Sequence, residues 1–245
     1  MLRLGEKRPI LFEILLVVLA FLAAAVFTAA GNVIDMHPDL SSSIGRIAVG
    51  ILLIVLYHRA FRGENPLKNF IIVLPALLFA VWNLFYNLSS GAEFGGMSFY
   101  SEALVTAMAP AIFEEVLFRG IFIYNLKQSN CSDGKGLFIT AIVFSAVHMT
   151  NLVGQDLASV ALQLAYSFVI GMALAAIYLK NNSLIQVILV HFLIDFTNRI
   201  YINPATTTTT VQMIVFILLL IAETVYSLWL IFGKNKLSDK NIHSD

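Results

Sequence analysis

Eight apolar stretches separated by short polar breaks run along the chain, at roughly 10–30, 43–61, 67–88, 100–124, 136–152, 156–179, 183–201 and 210–232. Most approach the ~20 residues that a helix needs to cross a bilayer, the fifth and seventh being short. In lipid every backbone N–H and C=O must be paired within its own segment, so these stretches predict helices rather than open strands. The expected fold class is all-α: a polytopic integral membrane protein of about eight transmembrane helices enclosing a polar chamber, in a single domain over 1–245. The polar tail at 233–245 reads as disordered and cytoplasmic. The charged N-terminus before the first stretch could mimic a signal peptide. The apolar run is too long for that, and its small residues Ala23, Ala24 and Ala25 lie inside it, so an uncleaved first span is expected. Pro75 and Pro110 fall in the third and fourth spans, where the bilayer tolerates kinks.

The apolar pattern breaks in three places. The first is Pro110-Ala-Ile-Phe-Glu-Glu-Val-Leu-Phe-Arg119, which sets two carboxylates and a guanidinium inside a span. Each such charge costs on the order of 2.5–3.5 kcal/mol on insertion scales, so the three need partners or a wet cavity. On a helix Glu115 and Arg119 lie four apart in the favourable orientation for an ion pair. Glu114 then points roughly 100° away, free to face something else. The second break is Phe144-Ser-Ala-Val-His148, and the third is His191-Phe-Leu-Ile-Asp195, whose ends share one helical face. A lone membrane histidine is more often a hydrogen-bonding link between helices than a catalyst. Depth changes that balance: at 1.5 Å per residue, Glu114, His148 and His191 lie about 15, 18 and 12 Å from one membrane face. Glu223 in the last span has a similar depth and reads as a carboxyl group hydrogen-bonded to a neighbouring helix.

Composition agrees with the pattern, since 59% of residues are hydrophobic and 12% charged, against about 25% charged in soluble domains. The formal net charge is zero, so no global basic balance argues for nucleic acid. Arg3, Lys7, Arg8, Arg59, Arg62, Lys68, Lys127, Lys135, Lys180, Lys234, Lys236 and Lys240 fall on one side of the spans, leaving Arg46 and Arg199 near the other. By the positive-inside rule both termini are cytoplasmic. The single cysteine, Cys131, excludes an internal disulfide and a thiolate metal site. His37, His58 and His243 lie in loops, at a helix end or in the tail and read as solvated.

A carboxylate and an imidazole flanking a water can take its proton and later protonate a leaving amine, worth roughly 10²–10⁴-fold. A second histidine nearby can donate to a developing oxyanion. Glu114-Glu115-Val-Leu-Phe-Arg119, Phe144-Ser-Ala-Val-His148 and His191-Phe-Leu-Ile-Asp195 resemble, in this order, the three motifs of the CAAX protease and bacteriocin-processing (CPBP, Abi) family of intramembrane endopeptidases, over residues about 100–200. The resemblance implies an eight-helix core opening to the cytoplasm and hydrolysis of a membrane-tethered or membrane-adjacent peptide, prenylated or not. It also implies an expected location in the plasma membrane of a prokaryote. Carried over by residue, it implies that Glu114 and His148 activate water, that Glu115 and Arg119 support the site, and that His191 with Asp195 stabilises the oxyanion.

The last motif position is often asparagine in the family and is Asp195 here. An ionised aspartate cannot donate to an oxyanion, whereas a protonated one can; the alternative role for Asp195 is to orient or charge His191, and Asn198, seven residues beyond His191 on nearly the same face, is a substitute amide donor. No cofactor is required by a glutamate-activated water, yet Glu114, His148 and His191 could also hold zinc with an open fourth position, and both chemistries stay open. The rival readings are a proton-coupled carrier, because Glu and His chains also relay protons, and a catalytically silent bacteriocin-immunity or scaffold protein.

Overall fold

The third, fourth and fifth apolar stretches are where the backbone departs from plain α-helix, and the departures in the fourth and fifth fall at the polar motifs. The computed structural model describes residues 5, 7–63, 65 and 68–233; His243 and the tail beyond Gly233 lie outside them. The described helices are α1 (Pro9–Val33), α2 (Pro38–Leu56), α3 (Leu78–Ser89), α4 (Met97–Glu115), α5 (Ile123–Gln128), α6 (Asp133–Ala146), α7 (Leu157–Asn181), α8 (Leu184–Arg199) and α9 (Thr210–Phe232). Six segments are long and apolar enough to cross a membrane: Pro9–Val33, Pro38–Leu56, Phe70–Ser89, Asp133–Val153, Leu157–Asn181 and Thr210–Phe232. The other two of the eight expected stretches are the ones that carry the charges. One is α4 with Glu102, Glu114 and Glu115, and the other is α8, only 16 residues long.

Each local break has a physical cause. Pro75 lacks an N–H and opens a short 3₁₀ turn, Pro75–Leu77, preceded by another at Phe70–Val73, so the third stretch becomes regular helix only from Leu78. Between α4 and α5 the chain widens into a π-helical turn, Val116–Phe122, all seven residues of which are buried. Such turns are uncommon and are frequent at functional sites. Gly120 lets this turn meet its neighbour, because a Cβ there would lie 2.2 Å from the Phe61 ring. After α6 the helix tightens into a 3₁₀ turn, Val147–Val153, so His148 sits on a turn rather than on the continuous helix expected over 136–152.

Consecutive elements run between two ends of the bundle. At the end nearer the termini, the Gln186 side chain donates to the Lys68 carbonyl at 2.8 Å and Asn182 donates to the Gly63 carbonyl at 3.3 Å. Gly134 there packs on Phe232, near the close of α9. At the opposite end, Phe94 and Tyr201 form an isolated antiparallel bridge, and the Ala205 N–H donates to Asn87 at 2.9 Å. Thr209 and Gln212 cap α9 reciprocally, and the Gln212 amide also donates to Ser89 and Ser90, which ties the start of α9 to the end of α3. Asp156 caps α7 by accepting from the Ala158 and Ser159 N–H groups, both at 3.0 Å, and a bond from the Ser159 hydroxyl, with these backbone bonds behind it, holds its carboxyl below the usual range.

The core is centred on the π-helical turn and the second half of α7, where residues 172–178 are buried. Leu11, Ile14, Leu15, Val18 and Leu22 of α1 and Ile214, Ile217, Leu218, Ile221 and Val225 of α9 are exposed. Apolar rows of this size suit contact with acyl chains rather than water.

Candidate active site

Glu115 and Arg119 are fully buried, and an uncompensated charge there would be expensive. Arg119 Nη1 donates to Glu115 Oε1 at 2.7 Å, the pair expected from their spacing. Its Nη2 donates to the Gly171 carbonyl of α7 at 3.1 Å, and its Cζ lies 4.4 Å above the centre of the Phe144 ring. Gly171 permits this approach, since a Cβ would come within 3.1 Å of Phe144 and 3.2 Å of Ala141.

The same Glu115 oxygen also meets His191 Nδ1 at 2.7 Å. Sequence spacing could not reveal that bond, because it joins α4 to α8 across 76 positions. A carboxylate only accepts, so Nδ1 carries the proton and Nε2 is left for another partner. Asp195 Oδ1 lies 3.9 Å from Nε2, and its other oxygen lies 3.8 Å from Arg199 Nη2. Both separations exceed hydrogen-bonding distance. Glu115, rather than Asp195, is therefore the closer orienting partner of His191.

His148 is fixed differently. Its Nδ1 lies 3.0 Å from the Phe144 carbonyl, which can only accept, so Nδ1–H donates and the neutral ring presents an Nε2 lone pair. Phe144 packs edge-on against His148, His191 and Phe118, with ring centres 5.4, 6.1 and 5.3 Å apart.

These groups border a cavity of about 670 Å³ lined by Glu114, His148, His191, Asp195 and Asn198, among others. Glu114 is half-buried and its carboxylate has no hydrogen-bond partner among the described residues. The helix thus divides its two adjacent glutamates, Glu114 toward the cavity and Glu115 into the packed interior. Pro110, one turn before Glu114, lines the same space. The cavity runs from mid-bundle, at Phe21 and Ile170, toward Thr150, Asn151, Gln155 and Thr208, at the end away from the termini. A chamber open to the cytoplasm and cytoplasmic termini, both expected above, do not go together in this arrangement.

Residues 96–197 match the family model described as Rce1-like, type II CAAX prenyl endopeptidase Rce1-like. That segment is Rce1-like. The match agrees with the resemblance drawn from the three motifs, and the Rce1-like segment contains Glu114, Glu115, Arg119, His148, His191 and Asp195. At family level it supports a CAAX-type intramembrane endopeptidase in an integral membrane protein. No curated protein and no solved structure matches the chain. Asn198 lies one position beyond the Rce1-like segment, still on α8 and still on the cavity wall.

Zinc is the group that this chemistry could also use. Among the described residues, the three donors whose ligand atoms all lie within 4.8 Å of one another are His37, Asp39 and Glu102, all exposed. Glu114, His148 and His191 line one cavity without forming such a set with their side chains as placed.

Two buried carboxyl groups stand apart from the cavity. Glu223 of α9 is 1% exposed, and among the described residues its Oε2 has no partner, so the expected bond to a neighbouring helix is absent at that oxygen. Glu13 of α1 is also fully buried, with neither oxygen hydrogen-bonded among the described residues. A single acid one turn into an apolar run reads as interfacial, and only its packing neighbours could reveal otherwise.

Proposed function

We propose that the chain is an intramembrane endopeptidase in which Glu114 and His148 activate a water against the carbonyl of a membrane-tethered or membrane-adjacent peptide. The observation that carries this reading is the single cavity shared by Glu114, His148 and His191, with both imidazoles held through Nδ1 and their Nε2 atoms left for other partners. Glu114 takes the water proton as the oxygen attacks and returns it to the departing nitrogen. The Nε2 lone pair of His148 accepts from the same water and orients it. His191, as an imidazolium balanced by Glu115, donates from Nε2 to the oxygen that becomes negative, and the Asn198 amide is the second donor. Glu115 and Arg119 act behind the cavity by fixing the His191 ring. No step is routed through a metal, and metal analysis of active protein with activity after chelation tests that choice.

Asp195 then serves electrostatically, near His191 and Arg199, rather than as an oxyanion donor. Asp195→Asn is expected to retain cleavage within about tenfold, because a neutral amide preserves the shape and can itself donate. Peptide termini released by the reconstituted variant check this; a loss as large as that of Glu114→Ala would reject it.

With cytoplasmic termini, the cavity geometry favours substrate access from the opposite face of the membrane. Cys131 is a native reporter for the end nearer the termini, and Thr208→Cys reports the cavity mouth. In sealed vesicles a membrane-impermeant maleimide is expected to label the two positions from opposite faces. Labelling of both from one face would overturn the arrangement.

A further inference from the structure

Phe79, Trp82, Asn83 and Tyr86 of α3 all line the catalytic cavity, and their spacing of three, one and three residues puts them on one face of the helix. Contacts on either side of Asn83 fix the rotation of that face. The Trp82 ring stacks on Phe216 of α9 with ring centres 5.3 Å apart, and the Tyr86 hydroxyl lies 3.2 Å from Thr208 Oγ1. Asn83 thus sets a half-buried amide inside an apolar span, where a polar side chain either links helices or serves a site.

Only one end of the amide is used as a link. Its Nδ2 lies 2.8 Å from the Ile194 carbonyl of α8 and 3.5 Å from Thr197 Oγ1. A carbonyl only accepts, so the NH₂ group is turned to α8 and the amide orientation is fixed. Oδ1 accepts no hydrogen bond among the described residues. The backbone is held as well, since Asn87 donates to the Asn83 carbonyl at 2.9 Å and itself accepts from the Ala205 N–H.

Peptide hydrolysis in this cavity needs such an acceptor. A peptide that enters leaves the water that satisfied its backbone, and each N–H without an acceptor weakens binding. Asp195 is an acceptor on α8, but it stands between His191 and Arg199, 3.9 and 3.8 Å away. Asn83 Oδ1 is neutral and already oriented.

We propose that Asn83 Oδ1 accepts a backbone N–H of the bound peptide and so sets which peptide bond lies over His191, an inference that rests on the endopeptidase reading. Ile194 lies three residues beyond His191, about 4.5 Å along α8. An extended peptide advances about 3.3–3.6 Å per residue, so the N–H that Asn83 receives belongs to a residue one or two places from the scissile bond. The contact is to the backbone, and it fixes register rather than choosing side chains.

A backbone-ester scan on the full chain in nanodiscs tests this. The probe is a fluorescein-labelled farnesyl peptide whose cleavage position is first read from the products of the wild type. Each of the two amides on either side of the scissile bond is replaced in turn by an ester, which keeps the shape and removes the N–H. Binding is measured to the chain carrying Glu114→Gln, so that no hydrolysis intervenes. One ester is expected to bind about five- to tenfold more weakly than the parent peptide, the scale of a neutral hydrogen bond. With Asn83→Leu added, that ester and the parent should bind alike; Asn83→Ala makes the same comparison if leucine cannot be accommodated. Asn83→Asp keeps an acceptor oxygen but loses the donor to the Ile194 carbonyl, and the ester penalty should persist. In the cleaving protein, Asn83→Leu should spread cleavage over neighbouring bonds.

Absence of any ester penalty overturns the contact without recourse to a variant. So does a penalty unchanged by Asn83→Leu, and so does one lost equally in Asn83→Asp and Asn83→Leu, because Asn83 then acts only by holding α8. Any of these results with wild-type cleavage intact rejects the register contact alone. Failure of the wild type to cleave, or of the parent peptide to bind, rejects the endopeptidase reading and the contact with it.

Discussion

Glu114→Gln is expected to reduce peptide cleavage by about 10²–10⁴-fold while leaving the protein folded. Glutamine keeps the shape of the side chain and removes its ability to take a proton, and Glu114 is half-buried on the cavity wall with no hydrogen bond to lose. His148→Ala should cause a loss of similar order, because it removes the acceptor that the Phe144 carbonyl holds in place. If both groups act on one water, the double variant should be little worse than either single one, since residues that work as a unit are strongly non-additive. Purified protein reconstituted into vesicles, with new peptide termini counted by mass spectrometry, gives the measurement. Full cleavage by Glu114→Gln would end the water-activation scheme. Solute uptake driven by a proton gradient, with no cleavage by the wild type, would favour a carrier using the same buried groups.

The sequence carried these residues unequally. Glu115 and Arg119 could be paired in advance because both lie on one helix, where spacing fixes azimuth. The shared depth of Glu114, His148 and His191 followed from the rise per residue, and one cavity receives all three. Contacts between helices were beyond that reasoning. The bond from His191 to Glu115 depends on how α4 and α8 pack, and hydrophobic patterns carry no azimuth between separate helices. The π-helical turn was hidden as well: apart from Arg119 and Gly120, Val116–Phe122 is as apolar as any buried helix, and that pattern does not mark a widened turn.

Arg119→Met should destabilise the protein by about 3–5 kcal/mol, the usual result of leaving a buried charge without its partner. Glu115 would keep only His191, while the Gly171 carbonyl and the Phe144 face would lose the guanidinium. The double variant Glu115→Gln with Arg119→Met removes the charge from both sides and should recover part of that loss. An interaction energy of about 0.5–3 kcal/mol is expected for groups in direct contact. Activity should not recover with stability, because glutamine can still accept from His191 Nδ1 but cannot balance an imidazolium. Thermal unfolding in detergent and cleavage by the same samples separate the two effects. Equal destabilisation by the single and double variants would show that Arg119 serves the fold through packing alone. Recovery of cleavage along with the melting temperature would remove the charge of Glu115 from the reaction and leave it only the task of holding the ring.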